Sequence, residues 1–491
     1  MKNQQKGFKT QLNEFKQELG LFDATMLVIG SMIGSGIFIV SADIARTVGS
    51  SGLLILVWVI TGIITLIGAL SYGELAAMIP KAGGQYVYLR DAFNPLVGFL
   101  YGWTLFMIIQ TGTIAAVAVA FAKFTAVLIP WFSTKNILLN LFGLKISAAQ
   151  ILAILNIALL TYINIRGLRE GKFVQDLFTV TKIAALVGLI FLGIVVGSNA
   201  EAIAANFTNI WNAEWIHIKD GSIEWIQSLS GFQIVIAIGV AMVGSLFASD
   251  AWNNVTFTAG ETKNPKRNIP LSLFFGTLIV TVLYILANFS YLLVLPLKGI
   301  PEGSTIQALG IQFATEDRVA SAAANIFLGE AAAIVMAVLI MISTFGCNNG
   351  LILAGARVYH TMAKDKLFFS VTGTLNKKSV PAKALIFQGV WAGVLCLSGT
   401  YSDLLDYVIF AVMIFYVLTI SAIFILRKKL PDVDRPYKAF GYPYLPILYI
   451  ILASSISVIL LIYKPQYTWP GLIIVLLGVP IYFVWRREKA S

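Results

Sequence analysis

Gly30-Ser31-Met32-Ile33-Gly34-Ser35-Gly36-Ile37-Phe38 lies inside an apolar segment that is otherwise long enough to cross a bilayer as one helix. Three glycines and two serines in nine residues are poor material for a continuous membrane helix and good material for an interruption. In lipid every backbone N–H and C=O needs a partner, so an interruption persists only where protein or a water-filled cavity covers it. A break here leaves carbonyls at the end of one half-helix and amides at the start of the next, both turned inward.

The rest of the chain fits that setting. It has 491 residues, 58% hydrophobic and 12% charged, with mean hydropathy +0.83. A soluble chain is typically about 25% charged, so the composition excludes an ordinary globular domain. Apolar windows of roughly 20 residues recur near 21–46, 52–79, 92–125, 148–165, 173–197, 232–260, 270–295, 329–358, 382–400, 402–426, 441–463 and 469–486. These are spans one to twelve, and the fold class they predict is an all-α polytopic membrane protein. Residues 1–20 are polar and basic and read as an uncleaved cytoplasmic tail, with a second short tail at 487–491.

With both termini placed inside, 26 of the 35 Lys and Arg fall on the inner side, eight outside, and one, Lys182, within a span. The acidic segment 198–231, with Glu201, Glu214, Asp220 and Glu224, then becomes an extracellular loop. This is the positive-inside pattern with an even span count. The net charge of +11 follows from that asymmetry and from contact with anionic lipid. The basic residues are scattered over seven inner segments, which argues against nucleic-acid binding. Cys347 and Cys396 lie inside spans, and His217 and His360 are far apart, so neither a metal site nor any cofactor is expected.

A second interruption follows in span six: Gly244-Ser245-Leu246-Phe247-Ala248-Ser249-Asp250-Ala251-Trp252-Asn253, about 215 residues after the first. Paired breaks at corresponding places in two halves point to a transporter built from inverted repeats. Five spans per repeat give a first repeat at 21–197 and a second at 232–426, with spans eleven and twelve (427–486) appended. The stretch 296–328 reads as an outer loop with short interfacial helices. The tracts 80–90 and 355–366 read as inner hinges or linkers.

Half-helix ends of this kind suit an amino-acid zwitterion, amides meeting its carboxylate and carbonyls its ammonium. The carboxylate site is then the amides of Ser35, Gly36 and Ile37, where glycine lets a ligand approach the backbone. The ammonium would meet carbonyls near Met32 and Ile33 and those of Phe247, Ala248 and Asp250. Side-chain preference has to come from elsewhere, with spans three, six, eight and ten the candidates. Lys182 stands alone in an apolar run, where a charge costs roughly 2.5–3.5 kcal/mol at mid-membrane. Two roles are open to it: snorkelling to the inner interface, or a fixed cation holding the broken backbone of span one where other transporters place sodium. Sodium-independent transport follows from the second. Asp250 has several candidate roles: holding the ammonium, accepting a basic side chain, taking up a proton, or capping helix amides. Phe247 and Trp252 are candidate gates. Thr344, Asn348, Asn349 and Asn288 are expected to act as interhelical polar contacts.

Several of these motifs together resemble the amino acid–polyamine–organocation (APC) transporters, with the L-type amino-acid transporter branch most similar. The resemblance covers most of the chain. It rests on Gly30–Phe38, Gly68–Tyr88, Val174–Leu186 and Leu246–Pro270, ending in Asn264-Pro265-Lys266-Arg267-Asn268-Ile269-Pro270. It implies a twelve-helix, leucine-transporter-type fold with a 5+5 inverted repeat plus two helices, with helices one and six unwound. It also implies alternating access. By position it places the substrate carboxylate at Ser35 and Gly36, and the ammonium around Met32, Phe247 and Asp250. Phe247 matches the gating aromatic, and Lys182 matches the lysine that stands in for sodium. Ile108, Ile109 and Asn253 match positions lining the side-chain pocket.

Animal members that pair with a glycoprotein heavy chain carry a cysteine in the outer loop between spans three and four. Residues 126–147 have none, so no disulfide-linked heavy chain is expected and the chain is read as a bacterial-type, stand-alone protein of the inner or plasma membrane. Many members that carry large neutral amino acids have glycine where Asp250 stands, whereas members handling cationic ones can have aspartate.

The expectation is a sodium-independent exchanger of free, neutral L-amino acids. A proton-coupled symporter of cationic amino acids or polyamines is the alternative, and a non-transporting sensor a remote one. No paired catalytic acids, metal cluster or Ser–His arrangement suggests an enzyme.

Overall fold

A computed structural model describes residues 15–141, 144–219, 222–398 and 401–487. The tail expected at 1–20 therefore lies outside the described residues as far as residue 14, as do Asp220 and the last four residues.

Each of the twelve apolar windows coincides with helix. Among the described residues, ten helices are long and apolar enough to cross a membrane. Spans six and nine are shorter apolar helices, Phe232–Ala248 and Ala382–Ser398. Burial sorts the long helices into two sets. Span three, Pro95–Leu128, is 89% buried along its most apolar stretch, whereas spans eleven and twelve are 28% buried. Span three is thus the most buried of the long helices and the last two spans are the most exposed.

Span five, Leu168–Val195, shows how sequence sets a helix face. Gln175, Thr179, Lys182 and Leu186 are buried, spaced by three and four residues on one side of the helix. Phe173, Leu177, Val180, Val187 and Phe191 are exposed on the other. The polar stripe faces span one, where Gln175 and Thr179 both donate to the Met26 carbonyl. Gly30 has no side chain because one would collide with Gln175 and Thr179. Asn349 of span eight joins the same contact, donating to Gln175 and Gly171 and accepting from Asn164. It acts as the interhelical contact its polarity suggested.

The connections differ from a plain reading in two ways. Two connecting segments contain antiparallel strand pairs, Ile137–Leu141 with Leu144–Ser147 and Glu214–Lys219 with Ser222–Ser228. The stretch 296–328 carries short helices, Ile306–Leu309 and Val319–Leu328. The tract 355–366 is no linker for most of its length. Span eight is one helix, Ala331–Lys364, and its charged end stays helical and buried because Arg357 finds a partner there.

Candidate functional site

Span one is interrupted. Its first helix, Leu21–Met32, stops at Ile33, whose backbone is extended (φ −76°, ψ 98°). Helix resumes at Gly36–Ile39 and passes through Val40 into Ser41–Val48. None of Gly30, Gly34 and Gly36 has a positive φ, so these glycines serve close approach, not a left-handed turn. A Cβ on Gly36 would stand 2.7 Å from the Cβ of Ala248 and 3.0 Å from its Cα. The amide end of the first break therefore packs directly on the second. Gly36 and Ile37 open a helix, so their N–H groups have no partner within it.

The carbonyl end is held by side chains. Lys182 Nζ donates to Gly30 O and Ile33 O, each at 2.7 Å, and to Ser343 O at 3.2 Å. Cys347 Sγ reaches Ser31 O at 3.1 Å, and the Tyr284 hydroxyl reaches Met32 O at 3.2 Å. Ser343 Oγ lies 2.8 Å from Gly34 O and 3.3 Å from Ile33 O. Every carbonyl from Gly30 to Gly34 thus meets a donor. Lys182 is 1% exposed and points into the break, not towards an interface, which removes the snorkelling alternative. Met32 and Ile33, expected to receive the ammonium, already accept from Tyr284 and from Lys182 with Ser343.

In span six the helix runs on to Ala248 and breaks at 249–253, with Ala251 in the left-handed region (φ 65°). A residue with a Cβ held at positive φ is uncommon, and such conformations cluster at functional sites. Short turns follow at Asn254–Phe257 and Ala259–Glu261. Ala248 O accepts from the Tyr284 hydroxyl at 3.0 Å, so one phenol touches the ends of both broken helices.

Beside this break lies a small cavity of about 10 Å³, lined by spans three, six, eight and ten and by Gln85. Asp250 and Asn253 face it, as does Ile109; Ile108 is buried beside it, against Gly112. Span three carries a π-helical turn at Leu105–Ile109, a defect that often accompanies a site. Asp250 Oδ1 accepts from the Tyr416 hydroxyl at 2.5 Å, which also lies 3.3 Å from Asn253 Oδ1. Asn253 Nδ2 donates to Gln85 at 2.7 Å. Across Tyr416, a second small cavity of about 10 Å³ is mostly apolar and is lined by Trp252. Trp252 packs edge-on against Tyr72 at 4.8 Å and against Tyr416 at 5.1 Å. Phe247 is buried in the last turn before the break.

The structure thus brings Asp250, Asn253 and Ile109 to one void, and Gly36, between Ser35 and Ile37, against Ala248. Tyr416, Tyr284, Ser343 and Gln85 join the site without having been singled out in the sequence. Ser343 adjoins Thr344, whose polarity in span eight was the available signal.

A buried ion pair joins the turn after span six to span eight. Arg357 Nε and Nη2 donate to the two oxygens of Glu261 at 2.8 and 2.9 Å, and both residues are 1% exposed. The Glu261 carbonyl accepts from the amides of Glu18 and Leu19, each at 2.9 Å, and Lys263 N donates back to Leu19 O. The segment before span one is therefore strapped to the end of span six.

A profile of the amino acid permease family matches residues 19–484, and the chain belongs to that family, a class of multi-pass membrane transporters, not enzymes. Curated relatives span most of its length. The serine/threonine exchanger SteT of Bacillus subtilis (strain 168) is 31% identical over 485 residues, covering 98% of this chain and 100% of the relative. The large neutral amino acids transporter small subunit 2 of Mus musculus is 30% identical over 486 residues, covering 96% and 82%. The b(0,+)-type amino acid transporter 1 of the same animal is 29% identical over 478 residues, covering 96% and 89%.

Proposed function

We propose that this protein exchanges free L-amino acids across a cell membrane without sodium, by alternating access about the breaks in spans one and six. The observation that carries this is the Lys182 ammonium, bonded at 2.7 Å to two carbonyls of the span-one break. A lysine ammonium in that position takes the place a bound sodium ion would otherwise fill. The substrate carboxylate is assigned to the amides of Ser35, Gly36 and Ile37. Its ammonium is assigned to the remaining carbonyl capacity of Met32 and Ile33 and to the span-six end, at Phe247, Ala248 and Asp250. Ile109 and Asn253 line the side-chain pocket with Ile108 beside them, and Phe247 and Trp252 gate it. The topology assigned is twelve spans in a 5+5 inverted repeat (21–197 and 232–426) plus two, both termini cytoplasmic. The even span count and the inner excess of Lys and Arg support it.

One relative is an exchanger by name, and another is called a small subunit. For this chain a disulfide-linked partner is not proposed: its two cysteines, Cys347 and Cys396, are both buried.

The test uses purified protein in liposomes. Uptake of radiolabelled amino acid is expected to be equal in sodium and choline buffers and to require amino acid inside the vesicle. Sodium dependence would refute the reading of Lys182. Uptake into empty vesicles driven by a pH gradient would favour proton coupling. Tyr416→Phe removes the donor to Asp250 and is expected to raise KM about tenfold, because a hydrogen bond to a charged group contributes roughly 1.5–3 kcal/mol. Kinetics of alanine exchange check this.

A further inference from the structure

We infer that a second site, on the face where the proposed topology puts the cytoplasm, binds a phosphoester anion carried by a membrane lipid, its headgroup in a charged cavity and its chains along span five. The cavity has a volume of about 320 Å³. That is room for about ten waters at roughly 30 Å³ each, and so for a phosphate with the few carbons attached to it. The strap before span one, the start of span five, the turn after span six and the connection into span nine all line it.

Its charges do not balance. Glu261 is engaged by Arg357, and Glu170 by Lys378 at 3.1 Å. Lys16, Arg169 and Lys377 also line the cavity, and none of the three forms an ion pair among the described residues. Glu18 is the remaining acid of the lining. Three unpaired cations against one unpaired carboxylate leave a surplus of two positive charges. Lys377 is also held in place: Asn376 donates to Ile165 O and accepts from the amides of Lys378 and Val380.

Exposed cations at a cytoplasmic face are ordinary and follow from insertion alone. These are set apart by the surface they adjoin. Arg169 shares a helical face with Phe173, Leu177 and Val180, at steps of four, four and three residues. All three apolar side chains are exposed, so a hydrocarbon ridge rises directly from the cation at the rim of the cavity. Beside it, Arg166 lies over the exposed ring of Tyr162 at 5.8 Å, the amphipathic pairing found at headgroup level. A soluble anion uses the cations alone; a lipid with an anionic headgroup uses the cations and the ridge. Basic pockets between helices on the cytoplasmic side suit such headgroups. A zwitterionic lipid brings an ammonium that the surplus charge repels.

The test uses the full chain, purified in detergent with equal amounts of phosphatidylglycerol and phosphatidylcholine, the retained lipid being counted by native mass spectrometry. Wild type is expected to retain phosphatidylglycerol in preference. Arg169→Gln combined with Lys377→Gln is expected to lower that retention about tenfold or more, since each basic residue near an anionic surface contributes roughly fivefold. Both side chains are exposed, so their loss leaves the packing untouched. Lys81→Gln combined with Lys428→Gln removes two exposed cations that do not line the cavity and is expected to leave retention unchanged. No preference in wild type, retention unmoved by the first pair, or an equal loss from the second pair would overturn the inference. Millimolar inorganic phosphate is expected to leave the lipid in place, because it has no chains for the ridge. Displacement by phosphate would overturn the lipid as the source of the anion. The readout is bound lipid, so it stands apart from whether the protein exchanges amino acids.

Discussion

Lys182→Ala is expected to lower amino-acid exchange at least tenfold while the protein still inserts and purifies as a monodisperse species. The substitution strips donors from Gly30 O, Ile33 O and Ser343 O. Ser343 Oγ remains near Ile33 O and Ser343 O keeps the bond of its own helix, so Gly30 O is the carbonyl left without a side-chain donor. Each unsatisfied buried carbonyl costs roughly 1–3 kcal/mol, and no water is available in the hydrocarbon region to compensate. Since about 1.4 kcal/mol is a factor of ten in population, even one such loss shifts the break away from its competent form by that factor. Exchange assays on the reconstituted variant measure it. Uptake and KM like those of wild type would remove the role assigned to this lysine.

Breaking the Glu261–Arg357 pair is expected to have the largest effect on stability. Both side chains are 1% exposed and joined by two parallel bonds at 2.8 and 2.9 Å. Removing one member of a buried pair leaves an uncompensated charge and costs roughly 3–5 kcal/mol, whereas replacing both with apolar residues of similar volume is often neutral. Arg357→Met and Glu261→Leu alone should therefore each lower the apparent melting temperature of the detergent-solubilised protein by several degrees. The double variant should recover most of the loss, and that non-additivity is the signature of direct coupling. Additive losses would show that the two residues act separately. The pair also sets the position of the chain entering span one, since Glu18 and Leu19 hang from the Glu261 carbonyl. Single variants should thus expose the 15–20 segment to protease as well.

The sequence made the helices and both interruptions legible because each rests on local chemistry. Apolar windows need only composition, and Gly30–Phe38 announces its break by small and polar residues in a place lipid forbids them. Lys182 was legible for the same reason, as a lone charge in an apolar run. Partnerships across the fold were not. Tyr416 looks like any aromatic in a span, and nothing near it in sequence marks the aspartate 166 residues earlier that it bonds. Arg357 made the end of span eight look like a charged inner linker, because its partner stands 96 residues away. That Tyr284 and Ser343 share the Met32 and Ile33 carbonyls was not legible either, because a sequence shows that a break exposes carbonyls but not which side chains reach them. The strand pairs were missed because short polar connections carry little periodicity to read.

An experimental structure with an amino acid bound tests the central claim most directly. The expected result places its carboxylate on the amides of Ser35, Gly36 and Ile37 and its ammonium between the Met32 and Ile33 carbonyls and the span-six break, with Gly36 and Ala248 parted to admit it and Lys182 still bonded to Gly30 and Ile33. An amino acid bound elsewhere, with Gly36 still packed on Ala248, would contradict it.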